Sequence, residues 1–209
     1  MSEPGRPRDP DVDDRILAAA RQILDAEGAA ALSVARVARD AGVGRPTVYR
    51  RYQDAGDLLR GVLFAELDAI LAANRDTIAA MQPEGPVIAD LLFMATPSFR
   101  FYASNPERSK ALLTAAILAE PHWQKRWDTL NAEIAGIAVR VLQAGIQRGE
   151  LPPDTDVFLC VQGYLMLFMA TLIAGLAGGY GPDPDTWTAG LGRLLEQHFE
   201  GLFLRARGC

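Results

Sequence analysis

The chain has few of the residues on which catalysis and metal binding depend. Its 209 residues include two cysteines and two histidines. Cys160 sits in an apolar run and Cys209 at the terminus, so they form no disulfide framework or metal spacing and suit a reducing cytoplasm. His122 and His198 each lack a second ligand at metal spacing, since Glu120 and Glu196 fall on poorly matched helix faces. No serine–histidine pairing is recognisable, and no glycine-rich loop follows a strand; the run GLAGG from Gly175 reads as a helix end. The expectation is therefore no cofactor, no metal and no enzymatic activity. Strand-type alternation is nowhere sustained, which excludes a sheet and leaves an all-α fold. Excess positive charge is lacking too: 21 Lys and Arg stand against 26 Asp and Glu, a net −5. The opening MSEPGRPRDPDVDD has no apolar core for a secretory leader, and its Pro, Gly and alternating charges suggest a disordered arm over 1–12.

Against this background one window stands out. Residues 33–52, SVARVARDAGVGRPTVYRRY, read as two short helices joined by a tight turn. Ser33 caps the first, and Val34, Val37 and Ala38 give it one apolar face. Gly42 can take the left-handed conformation a helix end needs, and Pro46 fits the first turn of the second helix. Five arginines, Arg36, Arg39, Arg45, Arg50 and Arg51, face Asp40 alone, a local +4 on an acidic chain. Thr47 and Tyr49 lie among them, able to reach bases or phosphates. This is the spacing of a helix-turn-helix, whose second helix enters the DNA major groove.

These residues resemble the N-terminal domain of the tetracycline-repressor (TetR) family of bacterial transcription factors. The matching pieces are ILAAARQILDAEG, SVARVARDAGV, RPTVYRRY and the helix opening DAGDLL. The resemblance implies a DNA-binding set of Ser33, Arg36, Gly44, Arg45, Pro46, Thr47, Tyr49, Arg50 and Arg51. Within it Arg45 would read a base edge, Tyr49 and Thr47 would touch phosphate or bases, and Arg36 would approach the backbone. Three positions depart from the family's pattern. Gly44 replaces a capping side chain, Ala55 replaces a phosphate-touching lysine for which Arg50 or Arg51 could substitute, and Arg50 occupies a variable position.

The rest of the chain reads helical. A first helix spans about 13–27, with Ile16, Ala20, Ile23 and Leu24 inward, and a fourth runs from Asp54 toward Ala80. Pro83 to Pro86 ends it, and a helix over 87–104 is expected to kink or break near Pro97. Asn105-Pro106 and Glu120-Pro121 open two more, Asp154 or Thr155 caps the next, and a last helix follows Pro184. Residues 157–177 are long and apolar enough to span a membrane, but acidic flanks without basic anchors favour a helix buried by protein, hence no membrane partner. Paired with Leu191, Leu194, Leu195, His198, Phe199 and Leu202, it suggests a four-helix contact in a homodimer, as the resemblance also implies.

The expected organisation is an arm (1–12), a three-helix helix-turn-helix domain (13–60) and a C-terminal helical domain for ligand binding and dimerisation (61–209). Aromatic and polar residues of that body are candidates for an effector cavity. They are Phe93, Phe99, Arg100 and Tyr102, then Thr114, Trp123, Trp127 and Asn131, and finally Gln162, Tyr164 and Met166. Trp123, Trp127 and Asn131 share a face at i, i+4, i+8. The partners implied are double-stranded operator DNA and a small lipophilic or aromatic effector, acting on a cytoplasmic repressor. A helical adaptor that binds protein rather than specific DNA is the alternative.

Overall fold

The computed structural model describes residues 10–80, 85–117 and 121–207. Among these the chain is helical without a strand. Its elements are α1 (Pro10–Glu27), a 3-10 turn (Ala29–Ala31), α2 (Val34–Asp40), α3 (Arg45–Tyr49), α4 (Ala55–Ala80), α5 (Val87–Ser104), α6 (Pro106–Ile117), α7 (Pro121–Gln147), α8 (Val157–Leu176) and α9 (Pro184–Arg207). Helix α1 opens at Pro10, three residues before the position expected from Asp13, because proline is tolerated where the first-turn N–H has no partner. The remainder of the expected arm, with Arg6 and Arg8, lies outside the described residues.

The helices form two compact units. Of the described residues, the first unit holds those up to Asp68 together with 110–117 of α6, and the second holds those between Ala69 and Ser109 and those from 121 onward. In the first, Ile16, Ala20, Ile23 and Leu24 of α1 are buried together with Val34, Val37 and Ala38 of α2, the expected inward faces. Arg21 of α1 donates to Glu66 of α4 at 2.7 Å.

The second unit packs α5 against α7, α8 and α9, and α8 against α7 and α9. Helix α5 does not break at Pro97. Leu91, Ala95, Phe99 and Tyr102 are buried on both sides of it, so packing holds the helix although proline removes one ladder donor. Thr96 Oγ1 donates to the Leu92 carbonyl at 2.8 Å within the same stretch. The N-terminus of α5 is capped from far along the chain, where Glu150 Oε1 accepts from Val87 N at 2.8 Å. Asn105 caps α6 as expected, accepting from Arg108 N at 3.1 Å. The cap of α8 is Asp156, not Asp154 or Thr155: it accepts from Leu159 N at 3.0 Å. Asp154 is instead paired with Arg205 at 3.0 Å, and the Thr155 hydroxyl donates to the Pro152 carbonyl at 2.7 Å.

Helix α8 is the one described helix long and apolar enough to cross a membrane. Its inner face, Cys160, Val161, Tyr164, Leu172 and Leu176, is buried, but its outer face is not, and it is less enclosed within the chain than the sequence suggests. Phe158, Leu159, Met166 and Ile173 are all more than half exposed.

Candidate nucleic-acid interface

Two short helices and the turn between them set the geometry of the basic window. Ser33 Oγ accepts from Arg36 N at 3.3 Å, fixing the start of α2. At its other end Gly42 has φ +65°; Val43 N donates to the Ala38 carbonyl at 2.9 Å and Gly42 N to that of Arg39 at 3.2 Å. That pair of bonds is the Schellman closure, which reverses the chain within a few residues. Gly44 then opens α3 without a side-chain cap, and its carbonyl accepts from Thr47 N at 2.9 Å.

Helix α3 has one inward residue, Val48, which is fully buried. Arg45, Pro46, Tyr49 and Arg50 are exposed, and Thr47 is half-buried. Beyond α3, the Tyr52 ring is buried against Gly61 of α4, where an added Cβ would lie 2.7 Å from Tyr52 Cε1. The start of α4 is held by two carboxylates. Asp54 Oδ1 accepts from Asp57 N at 2.8 Å, Asp57 Oδ2 accepts from Gln53 N at 2.9 Å, and Arg60 donates to Asp57 at 2.6 Å. Ala55, the first residue of α4, offers no donor side chain to a phosphate.

The five arginines divide into two groups. Arg36 is forked onto Glu27, with Nη1 donating to Oε2 at 2.6 Å and Nη2 to Oε1, and its Nε lies 3.6 Å from Asp40. The hydrogen bond from Arg36 holds the Glu27 carboxyl below the usual glutamate range and raises the guanidinium in turn. Arg51 is turned inward: it pairs with Asp13 of α1 and donates to the Thr47 carbonyl at 3.3 Å. Arg39 pairs with Asp40 at 2.9 Å. Arg45 makes no ion pair with any described residue, and among the described residues the Arg50 guanidinium donates only to the Thr47 hydroxyl, at 3.3 Å. Of the nine residues in the expected DNA-binding set, Arg45, Pro46, Tyr49 and Arg50 thus form an open patch. Ser33 and Gly44 shape the helix ends, and Arg36 and Arg51 are engaged with acidic side chains. Sequence reading missed Glu27, Asp13 and Gly61 as the residues that position this surface. An acidic residue at the end of α1 was the available signal for Glu27, whereas Asp13 and Gly61 act across long stretches of chain.

The expected effector residues are scattered. Phe99 stacks on Phe168 with centroids 5.0 Å apart and meets Trp187 edge-on at 6.0 Å; Tyr164 lies 6.5 Å from Phe168. The Tyr164 hydroxyl donates to the Leu91 carbonyl at 3.2 Å, and complete burial pushes its pKa above the ordinary tyrosine range. Tyr102 and Trp123 are buried and Asn131 is half-buried; the side chain of Trp127 lies outside the described residues. Phe93, Arg100, Thr114, Gln162 and Met166 are exposed, the last two on the outer face of α8.

Residues 16–62 match the family described as "Bacterial regulatory proteins, tetR family". The HTH-type transcriptional regulator YdeS of Bacillus subtilis is 27% identical over 181 residues, 84% of this chain and 85% of that protein. Among solved structures, a TetR transcription regulator from Haloarcula marismortui superposes with a TM-score of 0.70 at 19% identity, covering 93% of this chain and 99% of that one. The transcriptional regulator FadR from Bacillus subtilis, in complex with stearoyl-CoA, gives 0.68 at 18% identity, covering 87% and 96%.

Proposed function

We propose, from the premise that this chain belongs to the TetR family of bacterial regulatory proteins, that it is a dimeric repressor released from its operator by a lipophilic effector. Its class is a ligand-responsive, DNA-binding transcriptional regulator, and regulators of this family are not enzymes. The observation that carries the reading is the open patch on α3. Arg45 and Tyr49 project from a helix anchored by Val48, and neither side chain makes a hydrogen bond or ion pair with a described residue. An exposed, unneutralised arginine on such a helix is suited to a bidentate contact with a guanine edge, worth about 1–3 kcal/mol of discrimination. Residues 13–60, with the opening turn of α1 from Pro10, are the DNA-binding domain in this reading, and 61–209 the effector and dimerisation domain.

The exposed apolar face of α8, with Leu204 of α9, supports a two-fold contact between subunits. A dimer would set two recognition helices roughly 34–36 Å apart, fitting successive major grooves of a near-palindrome. An effector of lipophilic or aromatic character suits the Phe99–Phe168–Trp187 cluster in the body, and a long acyl chain of the kind held by the FadR neighbour belongs to that class. Such an effector acts by favouring a DNA-incompetent arrangement. Full reversal of a two-state population takes a preference of about 5.5 kcal/mol. Work on a bacterial operator is carried out in the cytoplasm, and that is the localisation proposed. A partner-binding adaptor accounts for none of the α3 features.

The test is selection of bound sequences from a random duplex pool, with a Tyr49→Ala/Arg45→Ala double variant alongside. Enrichment of a two-fold symmetric site that the double variant loses is the expected result. Enrichment indifferent to those substitutions would remove the recognition-helix reading.

A further inference from the structure

Glu27 and Arg36 each stand where their own helix disfavours them. Glu27 is the last residue of α1, at the negative end of its dipole, and Arg36 lies in the first turn of α2, at the positive end of its dipole. The pair offsets both misplacements, but two uncharged residues would do so as well. A double breach of helix electrostatics at one contact points to a role for the charges themselves. In a helix-turn-helix the first of the two helices crosses the DNA backbone, so a basic side chain on α2 is placed for phosphate. Here both Nη groups of Arg36 are taken by the two oxygens of Glu27, at 2.6 Å for one and closer for the other, and Asp40 flanks Nε at 3.6 Å. A carboxylate fork and a phosphate fork use the same guanidinium geometry, so the two compete for one side chain.

We propose that Glu27 acts as an internal phosphate mimic, holding Arg36 off the DNA backbone and limiting affinity for any sequence. The inference rests on the DNA-binding reading above. It makes Glu27 a positioning residue that lowers affinity, and it takes Arg36 out of the DNA footprint of the parent protein. The Glu27 carboxyl, held below its usual range by this same hydrogen bond, stays ionised through the neutral range, so the mimic is always charged there. Changes that remove the Glu27 charge therefore release a latent phosphate contact.

The test measures the slope of log affinity against log salt for the full chain on a random-sequence duplex. Each phosphate neutralised contributes about 0.9 to that slope. For the parent, Arg36→Gln leaves the slope unchanged. Glu27→Gln and Glu27→Ala, two variants that guard against a local misfold in either, each steepen it by about 0.9 per bound subunit. Adding Arg36→Gln to either variant takes the increase away. A shallower slope for Arg36→Gln alone overturns the proposal, because Arg36 would then already touch phosphate. So does a Glu27 effect that persists without Arg36, since general charge removal would explain it, or no Glu27 effect at all. Failure of the parent chain to bind any duplex removes the DNA-binding reading and this proposal together, whereas the other outcomes bear on this proposal alone.

Discussion

Gly61→Ala is the substitution that best tests how α3 is held. A Cβ at Gly61 would lie 2.7 Å from Tyr52 Cε1, 3.3 Å from Tyr52 Cζ and 3.1 Å from Leu17 Cδ2. Tyr52 is buried and its ring is rigid, so the clash is with the body of an aromatic and not with the end of a flexible chain. Overpacking of this kind costs about 1–3 kcal/mol. Replacing a mid-helix glycine by alanine returns about 0.5–1 kcal/mol through the backbone. The net expectation is a loss of roughly 0–2.5 kcal/mol, hence a Tm lower by up to roughly 10 °C at about 2–4 °C per kcal/mol for a chain of this size. Gly136, exposed in the middle of α7 with nothing within 4 Å of its added Cβ, is the matched control. Gly136→Ala should raise Tm by about 1–4 °C, because it gains the backbone term without a clash. Tyr52 N also donates to the Val48 carbonyl at 2.9 Å, so displacing Tyr52 disturbs the residue that anchors α3. Gly61→Ala should therefore weaken duplex binding in a fluorescence-anisotropy titration, and Gly136→Ala should leave it alone. Equal increases in Tm for the two variants would refute the reasoning, since they would show that the Tyr52 ring yields without cost.

Three further outcomes are expected. Asp54→Ala removes the acceptor of Asp57 N at the start of α4 and should cost about 1 kcal/mol, read as a Tm lower by about 2–4 °C. Asp90 has its pKa raised by burial, with Glu150 acting in the same direction against Arg148. A raised folded-state value means that stability falls as pH rises through it, so Asp90→Asn should stabilise at neutral pH. Its advantage should shrink in melts run at progressively lower pH and vanish below the ordinary aspartate value of 3.8. Leu159→Asp with Met166→Asp puts charge on the exposed apolar face of α8 and should leave a folded monomer in sedimentation velocity; a dimer of parental stability would refute the α8 contact.

Punctuation written in neighbouring residues determined the succession of helices. Gly42, Pro46, Asn105-Pro106 and Pro184 act through backbone dihedrals and caps within a turn of themselves, so their effect can be read locally. Helical periodicity likewise determined the inward faces of α1 and α2, because one apolar stripe has only one way to be buried. The basic window and its resemblance to a known family pointed to α3 as the helix proposed to read DNA. Tertiary structure alone decided which of its charges remain available. Arg51 is neutralised by Asp13 across 38 positions and Arg36 by Glu27 across nine, distances that no short motif encodes. It also decided that α5 passes unbroken through Pro97, since packing on three helices outweighs one missing backbone bond. The all-round apolarity of α8 could not say which side this chain covers; only its packing on α5, α7 and α9 divided it into an inner face and an open one.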